Sequence, residues 1–111
     1  MIKQSFTLIA VAFFALFLAS CATIDLTSEG KKVRVLAPDE VSSCRELGKT
    51  NTSVTAKALG IPRPPETIKK ELESIGRNSA SSMGGDTIVP LTVIADGKQS
   101  FVVYKCVDPN S

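Results

Sequence analysis

An unbroken apolar run at residues 8–19 decides which part of this chain can fold into a domain. A membrane-spanning helix needs roughly 18 or more apolar residues, and this run has only 12. A short start carrying Lys3 precedes the run and small residues follow it, which is the pattern of a secretory signal peptide. A buried core helix is the alternative, but the run is apolar on every side. We therefore predict that residues 1–20 are a signal peptide.

A cysteine follows this segment directly. Residues 18–21 read Leu-Ala-Ser-Cys and resemble the bacterial lipobox, a leucine three residues before a cysteine with small residues between. The resemblance implies a diacylglyceryl group on the thiol of Cys21 and a further acyl chain, such as palmitate, on its amine. Several acyl chains hold a protein stably on a membrane. Ala22 follows the cysteine in place of Asp, which implies the outer membrane, with the domain facing the periplasm. An ordinary signal peptide followed by a free cysteine is the alternative.

The composition excludes several classes of function. The chain has no histidine, so it offers neither a Ser-His-Asp triad nor a Cys-His pair, nor an imidazole metal ligand. Its net charge of +2 is too small to argue for nucleic acid. We expect no catalytic residue, no metal and no cofactor. A histidine-independent periplasmic enzyme and a small-ligand-binding lipoprotein are the alternative functions, and a metal would need carboxylates alone.

Cys44 and Cys106 are the two cysteines that remain once Cys21 is assigned to the lipid anchor. In an oxidising compartment an even pair favours a disulfide, and two cysteines permit one intramolecular bond. Closing a loop of about 63 residues stabilises a fold by roughly 4 kcal/mol in the chain-entropy estimate. Two buried free thiols or a redox-active pair are the alternatives, although the chain has no Cys-x-x-Cys.

Hydrophobic periodicity predicts strands and one helix in a single small domain over residues 31–111, preceded by Cys21 and a polar tether at residues 21–30. A helix is expected from Pro65 until Gly84, because apolar residues follow helical spacing and Gly84 provides a stop signal. Gly76 weakens the middle of this helix and permits a kink. Strands are expected at three further places: residues 31–36, residues 49–55 (more weakly), and a C-terminal hairpin.

Asp96 and Gly97 give a two-residue turn signal between strands at 86–95 and 98–106. The register through this turn predicts an inward face of Val89, Leu91, Val93, Ala95, Val102, Tyr104 and Cys106. Pro90 lacks an N–H, so its strand must be an edge there or carry a bulge. The opposite face carries Ile88 and Thr92 together with Ile94, Phe101 and Val103, and the last three are a candidate surface for a protein partner. The alternative is that the N-terminal strand or the helix covers this face.

Three motifs carry a family resemblance. They are V-S-S-C-R-E-L-G at residues 41–48, N-S-A-S-S-M-G-G-D-T-I-V at 78–89, and Y-K-C at 104–106. In this order they resemble a group of small bacterial outer-membrane lipoproteins that includes the stress-sensor lipoprotein of the Rcs phosphorelay. The resemblance implies a small, mostly antiparallel sheet of about four strands packed on one helix, with Cys44 bonded to Cys106. It further implies a non-enzymatic envelope lipoprotein that binds another envelope protein, with stress sensing or signalling as its role.

Overall fold

The structure is a computed structural model that describes residues 24–107. The predicted signal peptide and Cys21 lie outside the described residues. The chain folds into an α+β domain, as predicted, and two 3₁₀ turns, Gly30–Lys32 and Pro38–Glu40, flank the first strand. The regular elements are β1 (Arg34–Val35), β2 (Arg45–Ser53), β3 (Lys57–Ala58), β4 (Ile61–Pro62), α1 (Pro65–Ser82), β5 (Thr87–Pro90) and β6 (Lys98–Lys105).

Four strands form one mixed sheet in the order β1-β5-β6-β2. β1 is parallel to β5, and the β5–β6 and β6–β2 pairs are antiparallel. β3 and β4 make a separate two-stranded hairpin that leads into α1. Over residues 24–107, no helix combines the length and the apolar character that crossing a membrane requires. The predicted small sheet on one helix is confirmed.

α1 has the predicted limits, and its buried face explains its continuity. Ile68, Leu72, Gly76 and Ala80 are buried at four-residue spacing, which places them on one side of the helix. Gly76 does not divide the helix, which runs unbroken from Pro65 to Ser82. A Cβ at Gly76 would lie 3.0 Å from the Phe101 ring, so the missing side chain lets helix and sheet approach closely.

The helix covers the face of the sheet that carries Phe101. The core cluster combines this face with the N-terminal segment and with α1, and Leu47 packs against it; its members are Val33, Ala80, Ile88, Phe101 and Val103. Phe101 and Val103 are fully buried, so the candidate partner surface on these residues is wrong. The alternative, that the helix and the N-terminal segment cover this face, is correct.

The opposite face of the sheet is also covered. β1 and β2 lie at opposite edges, so residues 36–44 must cross β5 and β6 to connect them. Because α1 occupies one face, we infer that this connection crosses the other. It contributes the buried Val41, and Val89 and Val102 are buried on that side of the sheet.

The C-terminal hairpin turns where predicted, but its register differs. Ala95 pairs with Lys98 across the Asp96 and Gly97 turn. Continued from this turn, the register would pair Val89 with Tyr104. In the structure Val89 pairs with Val102 instead, a shift of two residues. β5 therefore ends at Pro90, and residues 91–94 bulge out of the sheet. Pro90 is the last residue of β5 and lies beyond the end of its neighbour β1, which agrees with the expectation that it sits at an edge or a bulge.

Both N-terminal strands differ from their predicted limits. β1 is only two residues long because the Gly30–Lys32 turn replaces its predicted start. β2 begins at Arg45, four residues before the predicted strand, and ends at Ser53. It is a polar edge strand with a bulge at Leu47, held to β6 through its backbone. Because edge strands carry polar and charged residues, hydrophobic alternation marks them poorly.

The predicted tether is shorter than expected, because residues 25–30 dock on α1. The Asn78 Oδ1 atom accepts the Thr27 N–H at 2.9 Å, and Asn78 Nδ2 donates to the Asp25 carbonyl at 3.1 Å. The neighbouring Arg77 donates to the backbone carbonyls of residues 31 and 33, at 2.9 Å each. Gly30 is buried against the Asn78 side chain. These two helix residues make the N-terminal segment part of the domain.

The predicted disulfide is present. Cys44 precedes β2 and Cys106 follows β6, so the bond joins the ends of two paired strands, with Cα atoms 4.4 Å apart. Asp86 stabilises the same end of the sheet, since its carboxylate accepts hydrogen bonds from the N–H groups of Cys106 and Val107, each at 2.8 Å.

The Asp86 carboxylate predicts a dependence of stability on pH. Burial raises its pKa, but the N–H groups of Cys106 and Val107, the Thr87 hydroxyl and the Lys105 charge lower it by more. The folded-state pKa is therefore below the unfolded value, so the stabilisation is complete above about pH 4. It is lost as the pH falls through the folded-state pKa.

We expect Asp86→Asn to lower the free energy of unfolding at neutral pH by roughly 1 kcal/mol, as loss of a capping side chain does. It should also flatten the acid side of the stability profile, measured by urea unfolding between about pH 2 and pH 7. Asp96→Asn is the matched control, because Asp96 lies at φ 52° in a turn where asparagine is favoured. An equal loss of stability in both variants would contradict the assignment.

Candidate functional site

The charged groups with shifted pKa values have structural roles. Besides Asp86, the pKa of Arg63 is raised by its hydrogen bonds to Glu71, which are 2.7 and 3.0 Å long. Arg63 also donates to the Thr55 carbonyl. In the described part of the chain, no group of three His, Cys, Asp or Glu residues is placed to hold a metal ion. The candidate site that the geometry does offer is a surface for binding a macromolecule.

This surface is built around residues 91–94, which we call the bulge loop. Three residues separate Leu91 from Ala95, whereas a single residue separates their partners Ser100 and Lys98. The chain must accommodate the two extra residues outside the plane of the sheet. The sequence reads Leu-Thr-Val-Ile here, so three apolar side chains leave the sheet with it.

Thr92 holds the bulge loop in one shape. Its hydroxyl accepts the Ser100 N–H at 3.0 Å, which replaces the strand carbonyl that a regular ladder would supply. Its carbonyl accepts the Gln99 side-chain amide at 3.0 Å, and the Leu91 N–H donates to the Ser100 carbonyl at 2.9 Å. The loop is therefore ordered by its own hydrogen bonds and presents its apolar side chains in a defined arrangement.

The apolar residues of the bulge loop face solvent. Val93 is 83% exposed, Leu91 is half exposed, and Ile94 is 37% exposed. The prediction that Leu91, Val93 and Ala95 point inward is wrong, because the bulge separates them from the regular strand. A cluster of exposed apolar side chains that a folded loop holds in place is typical of a binding surface.

An open groove of about 850 Å³ lies between the bulge loop and the end of β2. Polar groups line it, and the Ser100 hydroxyl donates to Asn51 Oδ1 at 2.6 Å. The Thr52 hydroxyl donates to the Gln99 carbonyl at 2.7 Å. Asp96 and Lys98 place one charge of each sign beside it. Val93 and Ala95 add apolar surface to this lining, so the groove suits a peptide segment, whose side chains and backbone need both kinds of contact.

The structure separates the residues that the sequence grouped as a partner surface. Ile94 lies in the bulge loop, whereas Phe101 and Val103 lie in the core beneath α1. Leu91 and Val93 are surface residues that hydrophobic alternation had placed on the inward face. Pro90 was the available signal, because it marks the point where a strand cannot continue regular pairing.

These features define a small α+β domain that one disulfide closes and that displays an ordered apolar loop. The chain belongs to the DUF4156 family, described as a domain of unknown function, whose model matches residues 24–106. The Rcs-lipoprotein resemblance is not confirmed by this match.

A search of curated proteins finds no match. Among solved structures, the solution NMR structure of a secreted protein from Salmonella typhimurium LT2 is similar to this chain at 19% sequence identity and a TM-score of 0.46. The similarity covers 78% of this chain and 81% of that protein.

Proposed function

We propose that this protein is a non-enzymatic envelope lipoprotein, anchored in the outer membrane at Cys21, whose bulge loop binds another envelope protein. The observation that carries the proposal is the exposure of Leu91, Val93 and Ile94 on a loop that Thr92 holds in place.

The anchor is supported by the residues before the domain. The Leu-Ala-Ser-Cys tetrapeptide ends at Cys21, three residues before the described chain begins. The Cys44–Cys106 disulfide supports a location outside the cytoplasm, because such bonds persist in oxidising compartments. Ala22 supports the outer membrane under the enterobacterial sorting rule.

The partner class is supported by the shape and chemistry of the groove. Val93 and Ala95 supply apolar surface whose burial against a partner is favourable, and the polar lining residues supply directional hydrogen bonds. The resemblance of three motifs to those of Rcs-type lipoproteins favours a role in envelope stress sensing, and identifying the partner tests that role as well.

A photocrosslinking amino acid at Val93 tests the proposal in intact cells. We expect ultraviolet light to join the protein to one dominant envelope protein, identified by mass spectrometry. Val107 is the matched control, because it is also an exposed valine but lies past the far end of β6. Cys21→Ser should abolish palmitate labelling and the crosslink together, since an unanchored domain is not retained beside its partner.

Two results would contradict the proposal. Equal crosslinking from Val93 and Val107 would mean that the bulge loop has no special role. An absence of crosslinks from Val93 in a protein that is acylated and folded would remove the bulge loop as a partner surface.

A further inference from the structure

A second exposed apolar feature lies at the tip of the β3–β4 hairpin. Leu59 is 101% exposed and Ile61 is 69% exposed, and Ala58 and Pro62 beside them are also exposed. An isolated exposed leucine is common on protein surfaces, whereas a continuous apolar tip is not. We call residues 58–62 the hairpin tip.

The backbone of the hairpin tip holds Leu59 outward. Leu59 and Gly60 are the two turn residues, with φ angles of 52° and 77°. This turn favours Asn, Asp or Gly at both positions, and a leucine is sterically disfavoured there. The chain therefore carries a large apolar side chain at a position where a small polar residue would be more stable. Such an exception indicates a role outside the fold.

The base of the hairpin is fixed. The Arg63 guanidinium forms a two-bond fork with the Glu71 carboxylate on α1, and the Arg63 N–H donates to the Ala56 carbonyl at 2.9 Å. A rigid base holds the tip in one direction relative to the helix.

The start of the described chain and α1 border one groove, and the Glu71 of this groove is the residue that bonds Arg63 at the hairpin base. Ile24 and Leu26 form one side of this groove, and residues of α1 that include Glu71 form the other. Cys21 is three residues before Ile24, so it can lie no more than about 11 Å from that residue. A lipid at Cys21 would therefore bring the membrane close to the part of α1 that carries the hairpin. Lys57 is exposed, and residues 54–65 contain no acidic residue, which suits anionic headgroups.

We propose that the hairpin tip inserts Leu59 and Ile61 into the lipid bilayer beside the anchor, with Lys57 at the phosphate level. This inference rests on the acylated Cys21 of the proposed function. Together, the acyl chains and the hairpin tip orient the domain on the membrane, because two separated attachment points restrict rotation. The bulge loop is then presented to its partner at a defined angle.

The test uses the lipidated protein with Leu59→Cys, labelled with an environment-sensitive fluorophore. The protein is reconstituted in phosphatidylethanolamine and phosphatidylglycerol vesicles that contain nitroxide quenchers on the acyl chains. We expect a blue shift and loss of fluorescence by quenching. Val93→Cys, labelled in the same way, is the control at another exposed apolar position and should keep its fluorescence. Adding Ile61→Asp to the Leu59-labelled chain should restore the fluorescence, since this exposed residue is not needed for folding.

Each result has one meaning. An unquenched Leu59 label, or equal quenching at Leu59 and Val93, overturns the insertion of the hairpin tip. The mass of the intact protein and its flotation with vesicles report acylation separately. A protein without acyl chains overturns the proposed anchor, whereas an acylated, floating protein with an unquenched Leu59 label overturns the hairpin inference alone.

Discussion

Phe101→Ala is expected to lower the free energy of unfolding by about 3–5 kcal/mol, the cost of truncating a fully buried phenylalanine. The buried Phe101 ring lies between the sheet and α1 and packs against Gly76, where a Cβ atom would be only 3.0 Å from the ring. Ile88 and Val103 are themselves fully buried in the same cluster, so they have little freedom to move into the space that the ring leaves. Urea unfolding followed by circular dichroism measures the loss.

Val93→Ala is the control for this prediction. Its side chain is exposed, so we expect a change within about 0.5 kcal/mol. Phe101→Leu gives an intermediate loss if the alanine variant does not fold. A Phe101→Ala protein with nearly unchanged stability and a lost partner would contradict the buried core, and would restore Phe101 to a docking surface.

The second large effect is expected from removing the disulfide. The double variant Cys44→Ala/Cys106→Ala should have a free energy of unfolding lower by about 4 kcal/mol. The bond joins residues 62 positions apart, and removing it increases the conformational entropy of the unfolded chain. This loss is comparable to the whole net stability of many small domains. The double variant is preferred because it leaves no unpaired thiol.

Reduction of the native protein provides an independent comparison. Treatment with dithiothreitol should reproduce most of the loss in the native chain and leave the double variant unchanged. If the double variant were as stable as the oxidised protein, the bond would contribute nothing to the fold. Alkylation before reduction gives a direct check, since a bonded pair has no thiol to label.

Local sequence signals explain the parts of the fold that were predicted correctly. The limits of α1 follow from Pro65, the apolar spacing and Gly84, all of which act within a few residues. The turn at Asp96 and Gly97 follows from residues that tolerate positive φ. The cysteine pair follows once Cys21 is assigned to the predicted lipid anchor, since the two remaining cysteines allow one bond.

The errors share a different cause. The shift in the register of β5 arises over residues 91–94, where Thr92 hydrogen bonds stabilise a bulge that alternating hydrophobicity does not reveal. Residues 25–30 were predicted to be a tether, because their docking depends on Asn78, more than 45 residues away in sequence. Gly76 was predicted to weaken α1. Its role is to make room for the ring of Phe101, which belongs to another element and cannot be inferred from the sequence of the helix.

Local sequence patterns were sufficient to predict the helix, the turn, the pairing of Cys44 with Cys106 and the existence of two opposed sheet faces. These depend on periodicity, backbone preference and the number of partners available to each group. The folded arrangement was needed to show which face of the sheet α1 covers, and that Leu91, Val93 and Leu59 are exposed. Burial depends on packing between residues that are far apart in the chain, and an apolar residue has the same letter in the core and on a binding surface.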